Sequence, residues 1–166
     1  MVDNMQNGSM IEKLENVFIK LNEFPDLFKM NVQTNKEVRN YFATNFDCMN
    51  LPEDFVKFME MYDGLHCEIF TIFSMWSYLE QFTMNYKDYA NEEAIQDYVR
   101  QLKINGNYRL MFFAADNMGG RYAFKKDVPD QKVYYFNAQQ PEVVVMYESF
   151  VDLLYDKVVS CIEKMV

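Results

Sequence analysis

Four β-rich segments follow one another between residues 108 and 147 with almost nothing between them. They are YRLMFFAAD (108–116), RYAFKKD (121–127), KVYYFNA (132–138) and EVVVMY (142–147). The connections are Asn117-Met-Gly-Gly120, Val128-Pro-Asp130 and Gln139-Gln-Pro141. A parallel neighbour needs a crossover of a dozen or more residues, and these links leave no room for one. The run is therefore expected to fold as an antiparallel meander. One face of such a sheet has to be covered by the rest of the chain.

The rest of the chain has helical spacing. Residues 1–8 read as a flexible end. Ser9-Met-Ile-Glu12 fits a capping box and precedes an apolar stripe of Ile11, Leu14, Phe18 and Leu21, which stops before Pro25. Thr34-Asn-Lys-Glu37 repeats the capping pattern before Val38, Tyr41, Phe42 and Phe46. A third helix is expected in LPEDFVKFMEMYDG. Pro52 suits a first turn, Glu53 and Asp54 suit the positive end of the helix dipole, and Phe55, Phe58, Met59 and Tyr62 form the buried stripe. Gly64 is the expected left-handed stop. LHCEIFTIF (65–73) reads as one strand, residues 74–84 and the stretch carrying Ile95, Tyr98, Val99 and Leu102 as helices. Ser149-Phe-Val-Asp152 opens a closing helix with Phe150, Leu154, Val158, Ile162 and Met165 inward.

The expected fold class is therefore α+β: a mostly antiparallel sheet of about five to six strands packed with helices, helix-rich at the N-terminal part and closed by a C-terminal helix. Residues 9–166 form a single domain, since no linker, repeat or low-complexity tract interrupts the chain.

Composition narrows the function. Half of the 166 residues are apolar, which is globular usage. The 25 acids and 16 bases give a net charge of −9, and a phosphate binder needs a basic footprint instead. No direct nucleic-acid partner is expected, and the charge leaves room for a basic protein partner. The charge is polarised: residues 47–68 hold six acids and one base, and residues 98–132 hold seven bases and three acids. Cys48, Cys67 and Cys161 are too few and scattered for a disulfide framework and suit a reducing, cytoplasmic compartment. The polar first residues lack the apolar core of a secretory leader, and no apolar run approaches the length of a membrane span.

Catalytic motifs are missing from the sequence. The one histidine, His66, lies in an expected strand beside Cys67, and strand alternation sends the two to opposite faces. There is no CxxC, HExxH or GxSxG and no glycine-rich phosphate loop. Asp116-Asn-Met-Gly-Gly120 is the most distinctive short segment. Asp116 could serve a ligand or a metal there. The simpler expectation is a hairpin whose glycines, Gly119 and Gly120, take positive φ while Asp116 and Asn117 bond the main chain. Neither a metal nor a cofactor is expected, because no second carboxylate follows at a ligand spacing.

The ordered set of pieces resembles the SUKH superfamily, which includes fungal cell-wall assembly regulators and many bacterial immunity proteins. The resemblance covers residues 34–156. It rests on Leu51-Pro-Glu-Asp-Phe with Gly64, the turn from Asp116 to Gly120 followed by an aromatic strand, Val133-Tyr-Tyr, and Ser149-Phe. Asp63-Gly64 stands where the family often carries Asn-Gly, and segment 85–105 is longer than usual. The resemblance implies a non-enzymatic protein-binding module, typically one that neutralises a nuclease-type toxin. A regulatory scaffold of the same fold is the alternative, and a small hydrolase or ligand-binding protein built on Asp116 a third. The candidate contact residues are Glu53, Asp54, Glu60, Tyr122, Tyr134 and Tyr135.

Overall fold

The computed structural model describes residues 2–33, 36–75, 110–126, 128–137 and 140–165. The helices expected within 74–84 and around 95–102 lie, apart from residues 74 and 75, outside the described residues. Three helices come first: α1 (Val2–Glu23), α2 (Val38–Phe46) and α3 (Glu53–Met61). Six strands follow: β1 (Leu65–Cys67), β2 (Phe70–Ile72), β3 (Leu110–Asp116), β4 (Gly120–Lys125), β5 (Val133–Asn137) and β6 (Gln140–Tyr147). Helix α4 (Phe150–Met165) closes the chain. The fold class is α+β.

The sheet order is β1-β2-β3-β4-β5-β6, every pair antiparallel, so the meander is as the short turns require. The segment 65–73 is two strands, not one. Glu68 and Ile69 turn the chain so that Leu65 pairs with Ile72 and Cys67 with Phe70. The apolar run had hidden the turn because both strands are buried on alternating positions.

Helices α3 and α4 pack on one sheet face, and α1 packs against both of them. Phe55 of α3 is the hub: its ring lies 5.4 Å from Phe113, 5.1 Å from Phe124 and 5.2 Å from Phe150. Phe113 and Phe124 stack at 4.2 Å. A register shift between Phe112 and Ala114 makes Phe113 an extra residue in β3. Phe113 joins the main core, and Phe112 joins a smaller cluster with Leu110, Ala123 and Phe136.

Several helix details differ from the sequence reading. Ser9 lies inside α1, which runs from Val2, so the capping box there does not mark the helix start. The α1 core stripe is Leu14, Val17 and Leu21; Ile11 is 39% exposed, because it sits at the edge of that face. Glu37 precedes α2 and makes no side-chain cap. Helix α3 ends on an extended Tyr62, so Gly64 does not terminate it. Gly64 has φ +88°, and a Cβ there would meet the Ile72 carbonyl oxygen at 2.9 Å. Only a glycine lets the chain approach β2 this closely. In α4, Cys161 takes the buried place expected for Ile162, and Met165 is half exposed.

The two sheet edges are unlike. Beside β1, Lys29 and His66 exchange both main-chain hydrogen bonds at 2.8 Å. A second bridge joins Val32 to Tyr62. Among the described residues, no strand pairs with the outer edge of β6.

Candidate protein-binding surface

Asp54 and Asp63 belong to the acidic stretch that the sequence singles out, and both are buried. One Asp54 oxygen accepts the Phe55 N–H at 2.9 Å, and the other accepts the Val151 N–H at 2.9 Å. Val151 is in the first turn of α4, where N–H groups lack helical partners. Asp54 therefore caps a helix 97 residues away in sequence. Burial raises its pKa above the ordinary value, and the two N–H donors pull it down less strongly. Asp63 accepts the Ser74 hydroxyl at 2.7 Å and the Met75 N–H at 2.6 Å. These two acids hold the fold and are not presented to a partner.

Glu53 is exposed and ion-paired with Arg39. Beside it, a cavity of about 460 Å³ opens between α1 and α3. Met10, Ile11 and Leu14 give it apolar walls, and Glu53, Lys57 and Gln131 give it polar ones. Sequence reasoning missed Lys57 and Gln131 here. Gln131 has φ +28°, held by the turn in which Asp130 accepts the Lys132 N–H at 3.3 Å. Glu60 is half-buried at the far end of α3, where its main-chain carbonyl accepts the Lys36 ammonium at 2.6 Å.

The tyrosines divide between the two sheet faces, as strand alternation requires. Tyr134 faces away from the helices and is 6% exposed; Lys125 sits 4.1 Å over its ring, and its hydroxyl donates to Asp130. It is not presented to water. Tyr122 is buried on the helix side, 5.1 Å from the half-buried Tyr135. Both hydroxyls donate to one oxygen of Asp116, at 3.4 and 3.3 Å. The other Asp116 oxygen accepts the N–H groups of Met118 at 2.9 Å and Gly120 at 2.8 Å. Burial pushes the Tyr122 phenol well above its ordinary pKa, and Asp116 adds to the effect.

Asp116 thus organises a hairpin, as the simpler reading expects. Only one of its glycines takes positive φ, Gly119 at +84°. Gly120 is needed for space: a Cβ there would collide with the Tyr135 ring and hydroxyl and the Asp116 carboxylate. The Asn117 N–H donates to the Ile69 carbonyl at 3.3 Å, tying this turn to the β1–β2 turn. Met118, at the tip, is 80% exposed.

The His66 Nδ1 lies 2.8 Å from the Thr71 hydroxyl across the β1–β2 pair. Burial lowers its pKa, and Lys29 lowers it further. Burial pushes the Cys67 thiol up to about 12, far from the thiolate that a nucleophile needs. Among the described residues no group of three or more His, Cys, Asp or Glu is placed to hold a metal ion. No described helix is long and apolar enough to cross a membrane.

The meander, the α3 hub and the Asp116 hairpin are the features on which the sequence resembled the SUKH superfamily. The model of the SMI1 / KNR4 family (SUKH-1) matches residues 42–156, which include all six strands. The chain belongs to that family, a family of interaction modules. No curated protein matches it.

Proposed function

We propose that the chain is a non-enzymatic protein-binding module, an immunity protein that neutralises a basic, nuclease-type toxin by occluding its nucleic-acid site. The observation that carries this reading is what the acids do. Asp54, Asp63, Asp116 and Asp130 each hold main-chain N–H groups of this chain's own helix starts and turns. On α3 the exposed Glu53 and the half-buried Glu60 stand apart at its two ends instead of converging on one reacting atom. Spread surface acids suit steering of a cationic partner, because complementary charge raises the rate of encounter.

Glu53 and Glu60 supply that charge, and the half-buried Tyr135 supplies contact area at low entropic cost. Asp54 and Tyr122 are buried on the helix side of the sheet, and Tyr134 is buried on its other face. Co-expression with a toxin domain encoded beside the gene tests the reading. Growth rescued by the wild-type chain, with the two proteins co-purifying, is the expected result. Equal killing with and without the chain would overturn toxin neutralisation, and recovery of housekeeping proteins alone from the native host would replace it with a scaffold role.

A further inference from the structure

We propose that the open edge of β6 pairs with an extended segment of the protein partner, one that is apolar in its middle and cationic at both ends. This rests on the protein-binding reading above and names the chemistry of the segment recognised.

An outer strand carries a row of main-chain N–H and C=O groups with no neighbour, a template for another strand. Among the described residues such a row is covered beside β1, where Lys29 bonds to His66, and no strand pairs with the outer edge of β6. On the other side Val144, Val145 and Met146 are 41%, 46% and 43% exposed in succession. Val144 pairs with Tyr135 and Val145 with Tyr134, and the register shifts on either side of them. The shifts bow the strand and leave Val144 and Val145 as the regular centre of its ladder. Pro141, one of the usual guards of an exposed edge, stands near the start of β6, and residues 143–147 contain neither Lys nor Pro.

Charge selects the occupant. The sequence from 142 to 148 reads Glu-Val-Val-Val-Met-Tyr-Glu, with an acid at each end of the apolar run. A second copy of this strand, paired antiparallel about Val145, would set Glu142 against Glu148 twice. Like charges directly opposite destabilise a strand pair, so self-pairing is disfavoured. A segment with Lys or Arg at those two places gains where the second copy loses. The Asp54–Val151 hydrogen bond also holds the first turn of α3 against the residues that follow β6.

The probe is the capped peptide Lys-Val-Thr-Val-Thr-Val-Lys, titrated into the full chain with amide chemical shifts as the readout. The amides of residues 143–147 are expected to shift saturably. Binding is expected to weaken about tenfold for a peptide with Glu at both ends and for the double variant Glu142→Lys, Glu148→Lys, and to vanish when the central peptide amides are N-methylated. Both variant sites are on or beside an exposed edge, and an unchanged circular dichroism spectrum checks their folding. No shift in β6, equal binding of the N-methylated peptide, or dimerisation of the free chain through β6 would each overturn the proposal. A toxin that binds the wild type and the double variant equally well overturns the edge alone; a toxin that the wild type does not bind overturns the parent reading.

Discussion

Asp54 concentrates the residue-scale logic of this protein. In sequence it is an acid at a helix start, where a solvated residue favouring the helix dipole is the ordinary expectation. In the structure it serves another helix, and no local signal could have disclosed that, because Val151 arrives from the far end of the chain. Asp54→Ala leaves a buried N–H without its acceptor and is expected to cost about 1–3 kcal/mol in denaturant unfolding. Its pH dependence has a definite sign. The folded pKa is raised, so the stability linked to its titration is complete below the unfolded-chain pKa and is lost as pH rises through the folded value. The stability of the wild type relative to Asp54→Asn should fall across that window and then level; a rising difference would contradict the assignment. His66 has the opposite sign. Its folded pKa is lowered, so its linked stability is present above the unfolded value and is lost as pH falls through the folded one. A His66→Gln variant should lack that acid-side loss, as read by thermal melts between neutral and mildly acidic pH.

At the scale of elements, most of the fold was legible. Turns of three or four residues dictate an antiparallel meander, and the spacing of Phe55, Phe58 and Met59 dictates the buried face of α3, because both signals are local and periodic. What stayed hidden depended on contacts between elements. The division of 65–73 into β1 and β2 has no Gly, Pro or Asn to mark it. The exposure of Ile11 depends on the angle at which α1 settles. The β3–β4 hairpin was half legible: the sequence identified a turn, but only packing separates the tasks of its glycines. Gly119 needs the left-handed conformation and has open space around it, whereas Gly120 has no room for a Cβ. Gly120→Ala is expected to cost about 1–3 kcal/mol through overpacking against Tyr135 and Asp116. Gly119→Asn should cost less, because Asn tolerates the left-handed region. Equal losses would contradict this division.

At the scale of the whole molecule, the net charge of −9 proves a poor guide until its acids are located. Asp54 and Asp63 lie inside, Glu53 is paired with Arg39, and Glu68 with Lys164 at 3.5 Å. Four of the six acids of residues 47–68 are thus buried or ion-paired, and the acidic face is smaller than their number implies. The contact set was only partly legible for the same reason. Sequence marks which residues are acidic or aromatic, but burial decides which of them a partner can touch, and it removed Asp54, Tyr122 and Tyr134 from that set. The central claim is that this surface binds a cationic protein. The most direct measurement is calorimetric titration of the chain with a toxin domain encoded beside its gene, at two salt concentrations, for the wild type and for Glu53→Lys with Glu60→Lys. The account predicts one-to-one binding that weakens as salt rises and weakens about tenfold further in the double variant. Binding indifferent to both salt and charge reversal, or no binding at all, would contradict it.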